Sequence, residues 1–140
     1  MTREDQALAC VHRVLDADNR RDAQAYRALL YDDYHAEVNG APAATNAGAE
    51  VADLASTWSG FSDGRTELVE MWATGNKVTL RYRFVGTNDR PWRGQPASHR
   101  KVDVSACTIL EVVDGKVKRV WRYIDTMRFL SQLGWLPAPS

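Results

Sequence analysis

The feature that most constrains this chain is the pair Asp114-Gly115, which separates two β-rich runs. The runs span residues 101–113 and 116–125. Asp-Gly is a preferred pair for a two-residue type I′ turn, because both central residues of that turn need a positive φ. The sequence therefore predicts a long antiparallel β-hairpin in this part of the chain.

A two-residue loop also predicts the register of the hairpin, because Val113 then faces Lys116 and Val104 faces Asp125. Side chains alternate between the two faces of a strand, so each face can be assigned. The more apolar face is predicted to carry Val104, Ala106, Thr108, Leu110, Val112, Val117, Arg119, Trp121, Tyr123 and Asp125. Asp125 would then be a carboxylate at the end of an aromatic, largely apolar surface.

Length and charge exclude several classes of protein. The 140 residues suit one domain, residues 1–140, with a single core. Eighteen Lys and Arg balance eighteen Asp and Glu, which argues against binding to nucleic acid or to an anionic membrane. The N-terminus is too polar for a signal peptide, and no apolar run approaches the roughly 18 residues of a membrane span. We expect a soluble, cytoplasmic protein whose two cysteines, Cys10 and Cys107, are reduced.

Two helices are predicted at the N-terminus. Leu8, Val11 and Leu15 recur at i, i+3 and i+7 within residues 3–18, as on one face of an amphipathic helix. Asp22 is a suitable N-cap for a second, shorter helix. Further along, Thr45 or Asn46 can cap a third helix with Trp58 on its apolar stripe; a Trp at such spacing is typical of a core and would also shape a neighbouring cavity.

Two strands and a long loop follow the third helix. The strands are predicted over residues 67–73 and 77–85, and in the second strand an apolar face containing Tyr82 alternates with Arg81 and Arg83. We expect both arginines to point to solvent or to a subunit interface.

The loop over residues 88–98 is rich in Pro, Gly and Arg, with Trp92 in its middle, which is typical of a mobile lid. Trp92 would either close over an aromatic ligand or pack the loop onto the body of the protein.

The C-terminal part of the chain carries a motif. Trp121-x-x-x-Asp125 ends the last strand and precedes Leu130-x-Gln132-Leu133-Gly134-x-x-Pro137. Together with the Val-Asp-Gly-Lys-Val turn before it, this motif resembles the SnoaL-like polyketide cyclase family of the NTF2-like superfamily. Gly86-Thr87-Asn88 is similar to the family's Gly-Thr-His strand end, and Gly94 followed by Arg100 resembles its glycine-containing loop. The resemblance spans nearly the whole chain.

This resemblance implies an α+β fold of the NTF2-like type, in which a cone-shaped, curved antiparallel sheet and the N-terminal helices enclose a pocket. The family is usually homodimeric. It also implies a cyclase or isomerase that closes a ring by an intramolecular aldol-type addition, without a cofactor. The implied substrate is a hydrophobic, aromatic or polyketide-like molecule of secondary metabolism, such as antibiotic biosynthesis.

The same resemblance suggests roles for four residues. Asp125 would remove a proton alpha to a carbonyl and later protonate the alkoxide. Asn88 stands where the family has His and would donate a hydrogen bond to a substrate carbonyl, although an amide cannot titrate as His does. In residues 31–39, Glu37 occupies the position of another family His, and His35 would take this role if the alignment shifted by two residues.

The remaining candidate residues would form the walls of the pocket and contact the substrate. They are Tyr34, Trp58, Tyr82, Trp92, Arg100, Trp121 and Tyr123. The three histidines lack the spacing of a metal site, and no nucleotide-binding or nucleophile motif occurs, so no metal and no cofactor are predicted.

Three alternatives to this interpretation stay open. Asp125 or Thr126 could cap a short C-terminal helix over residues 127–133 instead of carrying chemistry. On the same fold, Asp125, Glu37 and an Arg could open an epoxide by sharing the proton transfers. The protein could also bind a small molecule without catalysis, because a fold does not imply a reaction.

Overall fold

The computed structural model describes residues 1–136, and Pro137 of the C-terminal motif lies outside them. The described elements, in chain order, are α1 (Arg3–Asn19), α2 (Ala23–Ala28), β1 (Leu30–Val38), β2 (Ala41–Pro42), α3 (Ala47–Gly60), β3 (Arg65–Thr74), β4 (Lys77–Thr87), β5 (Lys101–Val113), β6 (Lys116–Ile124) and α4 (Thr126–Gln132). None of these helices combines the length and the apolarity that a membrane span requires.

The six strands form one curved sheet in the order β2-β1-β6-β5-β4-β3, which confirms the predicted α+β architecture. One part of the prediction is wrong, because the sheet is not purely antiparallel. Strand β1 pairs with β6 in parallel, whereas the other neighbouring strands pair antiparallel. Two parallel neighbours must be joined by a long connection. Here the connection from β1 to β6 is the part of the chain that contains β2, α3 and β3 to β5.

The helix starts follow the predicted capping chemistry. The Asp22 side chain accepts a hydrogen bond from the Ala25 backbone N–H, at 2.9 Å. For α3, the choice between two candidates falls on Asn46, whose side chain accepts from the Ala49 N–H at 2.8 Å. Each cap satisfies a backbone donor that the first turn of a helix leaves unpaired.

The face of β4 opposite its arginines is apolar, as predicted. Val78 and Leu80 are buried there. Arg81 lies on the other face and pairs with Glu70 of β3. Arg83, also on that outer face, pairs with Asp103 of β5 at 2.7 Å. The outward orientation expected for both arginines is therefore confirmed.

The β5–β6 hairpin begins as predicted and then changes register. Asp114 and Gly115 have φ values of 49° and 78°, and Val113 pairs with Lys116. After Val112 pairs with Val117, however, Glu111 pairs with Arg119, so Lys118 is an extra residue in β6. This is a β-bulge, and it moves the following side chains of β6 to the opposite face.

The predicted inner face is consequently right for β5 and wrong for most of β6. The inward residues of β5 are buried, as expected: Val104, Ala106, Thr108, Leu110 and Val112. In β6, Val120, Arg122 and Ile124 line the interior instead of Arg119, Trp121 and Tyr123. A strand pattern alone does not reveal a one-residue bulge, although the bulge decides which residues face the core.

Two hydrophobic clusters fill the interior. The larger one packs α1 and α2 against the inner face of the sheet. The smaller one is aromatic, with Phe61, Phe84, Trp92, Phe129 and Trp135 in contact. Trp92 stacks on Phe129 with ring centroids 5.4 Å apart, so in this structure the loop packs onto the body of the protein.

Candidate active site

A cavity of about 450 Å³ lies between the helices and the inner face of the sheet. Its lining is mainly apolar and comes from both hydrophobic clusters. The charged residues of the lining are Asp18, Arg21, Glu50, Asp53, Arg65, Arg93 and Arg122. A cavity of this size with a few polar groups is typical of a site for a small molecule.

Asp18 is a carboxylate held in place on the cavity wall. It lies in the last turn of α1, on the same helix face as the buried residues Val11 and Val14. The Trp58 indole Nε1–H donates a hydrogen bond to its Oδ1 at 2.9 Å, and the Thr66 hydroxyl is 3.0 Å from its Oδ2. Three different elements, α1, α3 and β3, therefore fix the orientation of this carboxyl group.

The environment of Asp18 also changes its acidity. Burial raises the pKa of Asp18, because a poorly solvated site disfavours the charged form. The hydrogen bonds from Trp58 and Thr66 and the charges of Arg122 and Arg21 lower the pKa, but they do not cancel the effect of burial. A carboxyl group with a raised pKa can exchange protons closer to neutral pH.

Arg122 and Glu50 form an ion pair within the same cavity. Arg122 Nη2 lies 3.4 Å from Glu50 Oε1, and the two side chains are 24% and 5% exposed. Arg122 reaches the interior only because the bulge at Lys118 turns it inward. Burial by itself lowers the pKa of Arg122, but the surrounding tyrosines and Glu50 outweigh it and keep the pKa above its usual value. The cavity therefore contains a fixed positive charge beside two carboxylates.

Tyrosine hydroxyls complete the polar part of the lining. Tyr82 Oη lies 3.0 Å from Thr108 Oγ1. Tyr34 is fully buried, and burial and then the charge of Glu50 raise its pKa. Burial also raises the pKa of Tyr26, another residue of the lining. The phenols of Tyr34 and Tyr26 therefore keep their protons at neutral pH and can donate hydrogen bonds.

Four of the residues expected to contact the substrate line this cavity: Tyr34, Trp58, Tyr82 and Trp92. Their contact with a substrate stays a prediction. Trp58 also has a second role, because its indole N–H holds Asp18.

Three other expected wall residues lie elsewhere. Trp121 and Tyr123 are on the outer face of the sheet, since the bulge at Lys118 reverses their orientation, and Tyr123 is 50% exposed. The Arg100 side chain lies against Gly134: a Cβ added to Gly134 would be 2.9 Å from Arg100 Nε. The predicted position of these three side chains in the pocket is wrong.

His35 and Glu37 do not reach the cavity either. They alternate along β1 with Tyr34, Ala36 and Val38, of which Tyr34 and Val38 line the cavity. Because successive side chains of a strand point to opposite faces, His35 and Glu37 point away from the cavity. Neither alignment of this strand therefore places His35 or Glu37 in the cavity lining.

Asp125 caps α4 and lies outside the cavity lining. Its Oδ1 accepts a hydrogen bond from the Arg128 backbone N–H at 3.0 Å, and its side chain is 53% exposed. Asp125 was expected at the end of the pocket face because the β5–β6 hairpin was assumed to have an unbroken register. The bulge at Lys118 shifts that register by one residue. Asp125 is therefore the N-cap of the C-terminal helix, the alternative role that the sequence left open.

Asn88 organises the loop that follows β4. It is fully buried, and its amide Nδ2 donates to the carbonyl oxygens of Gly60 and Arg90, at 3.1 and 2.8 Å. Its Oδ1 accepts from the Ser98 backbone N–H at 2.8 Å. The side chain is committed to backbone groups and is not available as a donor to a substrate carbonyl, contrary to the expected role.

The sequence prediction missed Asp18, Glu50 and Arg122. A signal existed for the two acids, because Asp18 follows Val14 by four residues and Glu50 precedes Leu54 by four, which places each acid on an apolar helix stripe. Arg122 had no such signal, since its orientation depends on the bulge. Among residues 1–136, no three His, Cys, Asp or Glu side chains gather in a group that would hold a metal ion.

Comparison with known families identifies the chain. A family model described as SnoaL-like polyketide cyclase matches residues 8–133. The chain belongs to the SnoaL-like polyketide cyclase family. No curated protein sequence is significantly similar to this SnoaL-like chain.

Several solved structures share the fold of this SnoaL-like protein. A proposed SnoaL-like polyketide cyclase from Jannaschia sp. CCS1 is 21% identical and has a TM-score of 0.87, with 98% of this chain and 97% of that chain covered. AclR from Streptomyces galilaeus, a proposed hydroxylase, is 22% identical with a TM-score of 0.85, covering 96% and 99%. An LEH-like epoxide hydrolase from M. tuberculosis is 18% identical with a TM-score of 0.76, covering 94% and 92%. Proteins with different described reactions therefore share this architecture.

Proposed function

We propose that this SnoaL-like protein is a cofactor-independent acid/base enzyme that closes a ring in, or isomerises, an aromatic or polyketide-like small molecule. The observation that carries this proposal is the Asp18 carboxyl group, which lines a mainly apolar cavity, has a raised pKa and is oriented by two hydrogen-bond donors. Asp18 takes the role that the family resemblance suggested for Asp125.

The reaction begins with proton transfer to Asp18. Its carboxylate removes a proton from a carbon alpha to a substrate carbonyl, and the electron pair moves onto the carbonyl oxygen to form an enolate. The Arg122 guanidinium is the fixed positive charge that stabilises this oxygen anion in a poorly solvated site. Trp58 and Thr66 hold the carboxylate so that it faces the reacting carbon.

The ring then closes within one molecule. The enolate carbon attacks a second carbonyl of the same substrate, and the resulting alkoxide takes the proton back from Asp18. Both reacting groups belong to the substrate, so the apolar walls act by holding it in one conformation. Positioned general acid/base catalysis contributes roughly 10²- to 10⁴-fold to such a rate.

The test compares two aspartates that differ in position. Purified wild-type protein, Asp18→Asn and Asp125→Asn are incubated with metabolite extract of the source organism, without added cofactor, and the products are followed by mass spectrometry. We expect a product of unchanged mass, or one that has lost water, from the wild type and from Asp125→Asn, and none from Asp18→Asn. Full turnover by Asp18→Asn, or its loss in Asp125→Asn, would contradict the assignment.

Epoxide opening is a second candidate, favoured by Arg122, which lines the same cavity as Asp18 and Glu50 and pairs with Glu50. In that reaction one of the carboxyl groups of Asp18 and Glu50 would take a proton from water or from an internal hydroxyl group, and the other, in its protonated form, would deliver its proton to the epoxide oxygen. A product that gains one water, labelled when the reaction runs in ¹⁸O-water, would support hydrolysis. Opening by an internal hydroxyl leaves the mass unchanged, so the product structure would have to be determined by NMR.

Binding without catalysis is the third outcome of the same experiment. Unchanged extracts, together with compounds that co-purify equally with wild type and Asp18→Asn, would indicate a binding protein.

A further inference from the structure

Arg21 has a backbone conformation that its residue type does not favour. It follows the C-cap of α1, and its φ of 56° lies in the left-handed region. Its N–H donates to the Asp18 carbonyl oxygen at 2.9 Å, and the next N–H along the chain, that of Asp22, donates to the Ala17 carbonyl oxygen. Glycine closes a helix in this way without strain, whereas a residue with a Cβ does not. Strained residues persist where surrounding contacts hold them, and they are concentrated at functional sites.

The Arg21 guanidinium binds three backbone carbonyl groups. Nη1 donates to the Trp58 carbonyl oxygen at 2.8 Å, and Nη2 donates to those of Phe61 and Gly64 at 2.5 and 3.2 Å. Trp58 lies in the last turn of α3, where carbonyl oxygens have no partner within the helix. Gly64 directly precedes β3. One side chain therefore ties the end of α1 to the end of α3 and to the start of β3.

These contacts converge on Asp18. The two groups that donate to its carboxylate are the Trp58 indole N–H and the Thr66 hydroxyl, at 2.9 and 3.0 Å. Arg21 holds the backbone of the first donor directly, and it holds Gly64, which lies just before the second donor in the chain. Asp18, Trp58 and Arg21 thus form a closed ring of hydrogen bonds, in which each residue is bonded to the other two.

We propose that Arg21 is a positioning residue for Asp18: by binding the carbonyl oxygens of Trp58 and Gly64, its guanidinium keeps both donors of the carboxylate in place. This inference rests on the proposed function, in which Asp18 transfers protons, and it adds a residue that acts through Asp18. A displacement of about 1 Å can slow a reaction about 10²-fold, so a residue that fixes the carboxylate supports the rate. This use of the guanidinium accounts for an arginine where glycine would fit without strain.

Arg21 also acts on the acidity of Asp18. The other polar neighbours of Asp18 come from four elements: Tyr26 of α2, Trp58 of α3, Thr66 of β3 and Arg122 of β6. Burial raises the pKa of Asp18, whereas the two hydrogen bonds and the charges of Arg122 and Arg21 lower it. Loss of the Arg21 guanidinium removes one positive charge and misaligns the two donors. Both changes disfavour the charged carboxylate, so the pKa of Asp18 should rise further.

The test compares three variants of the whole protein. Arg21→Gly removes the guanidinium and relieves the strained backbone, so it separates the loss of the side chain from a conformational penalty. Arg21→Asn covers a failure of the glycine variant to fold, because asparagine tolerates the left-handed region. Arg20→Gln is the matched control: it removes the neighbouring guanidinium, which pairs with Asp16 and Asp22 outside the cavity lining.

The first measurement is hydrogen exchange by NMR, which needs no turnover. Exchange of the Trp58 indole N–H is compared with that of the amide of Leu110, a residue of β5 that pairs with strands on both sides and reports global unfolding. Both Arg21 variants should exchange about 3- to 10-fold faster at Trp58 relative to Leu110, the usual effect of one hydrogen bond. Arg20→Gln should change this ratio less than about twofold. An unchanged ratio in the Arg21 variants would overturn the proposal, because Arg21 would then stabilise the whole fold and not this contact.

The second measurement is the pKa of Asp18, followed through the ¹³C resonance of its carboxyl carbon. It should be higher in Arg21→Gly and Arg21→Asn than in the wild type, and it should stay in place in Arg20→Gln. A pKa that stays the same or falls in the Arg21 variants would contradict the proposed positioning.

The rate of product formation in the metabolite extract separates this inference from the proposed reaction. Arg21→Gly should form product about 10- to 100-fold more slowly than the wild type, and Arg20→Gln should keep the wild-type rate. A full rate in Arg21→Gly, or unaltered exchange and pKa, together with an intact requirement for Asp18, would overturn the role of Arg21 alone. Altered exchange and pKa together with full turnover by Asp18→Asn would overturn the reaction and leave the hydrogen-bonded ring in place.

Discussion

Arg122 Nη2 of β6 lies 3.4 Å from Glu50 Oε1 of α3, which joins the sheet to a helix inside the cavity. The contact exists because the bulge at Lys118 turns Arg122 inward. Its acid partner is almost completely buried, so the pair is isolated from solvent on the side of Glu50. The same contact therefore supports the fold and supplies the charge that the proposed reaction uses.

Replacing Glu50 by Gln should lower the free energy of unfolding by about 3 kcal/mol, because the partly buried guanidinium of Arg122 would lose its buried counter-charge. Urea denaturation measures this change. The matched control is Glu70→Gln, which removes the same charge from the exposed pair with Arg81 and should cost about 0–1 kcal/mol. Equal losses of unfolding free energy in the two variants would show that the Arg122–Glu50 pair stabilises the fold no more than the exposed pair does.

Asp125 should matter for stability and not for turnover. Asp125→Ala removes the N-cap of α4 and should cost about 1 kcal/mol in thermal or urea denaturation. Asp125→Asn keeps a capping side chain and should stay near the wild type. Any turnover detected with the wild type should persist in both variants. A large loss of activity in a folded Asp125→Asn variant would contradict this assignment and indicate that Asp125 takes part in the reaction.

The raised pKa of Asp18 predicts how its effect on stability depends on pH. Between the unfolded value of about 3.9 and the higher folded value, the native state binds more protons than the unfolded state, so the contribution of Asp18 to stability decreases as pH rises. Asp18→Asn removes this dependence. The free energy of unfolding of Asp18→Asn minus that of the wild type should therefore increase between about pH 4 and neutral pH. Urea denaturation across this range checks the sign, and a decreasing difference would contradict the raised pKa.

Thr66 should tune the acid/base group without touching the reacting carbon. Its hydroxyl donates to Asp18 Oδ2 and stabilises the charged form, so Thr66→Val should raise the pKa of Asp18 further. The pH midpoint of kcat/KM should move upward in this variant. Thr79→Val, at an outward position of β4, is the matched control and should leave the midpoint unchanged. A midpoint that stays in place in Thr66→Val would exclude Asp18 as the titrating group.

We propose that the protein is a homodimer, as the family resemblance implies, and that the outer face of the sheet is the interface between the two subunits. Trp72, Thr79, Ile109 and Trp121 lie in one cross-strand row on this face, and Trp72 is 45% exposed. Sedimentation velocity at micromolar concentration should give about twice the 15.7 kDa of one chain, and Trp72→Glu should shift the protein toward the monomer. A wild type that sediments only as the 15.7 kDa species would contradict the dimer.

The amino-acid sequence was sufficient for the elements and for the family. Caps such as Asp22 and turns such as Asp114-Gly115 depend on interactions within a few residues, so the local sequence is enough to predict them. The alternation along β4 predicted its buried face and its outward arginines, because both consequences follow from one strand. The position of Trp58 on the apolar stripe of α3 likewise anticipated its place beside the cavity.

The site itself depended on tertiary structure. One extra residue, Lys118, exchanges the two faces of β6, which removes Trp121 and Tyr123 from the predicted pocket and brings Arg122 into it. Asp18 becomes a candidate acid/base only where α1, α3 and β3 meet, since its two hydrogen-bond donors come from residues 40 and 48 positions away. Local patterns determine what each segment forms, but a register shift and the convergence of distant side chains arise only when the segments pack, and these two events decided which residues line the cavity.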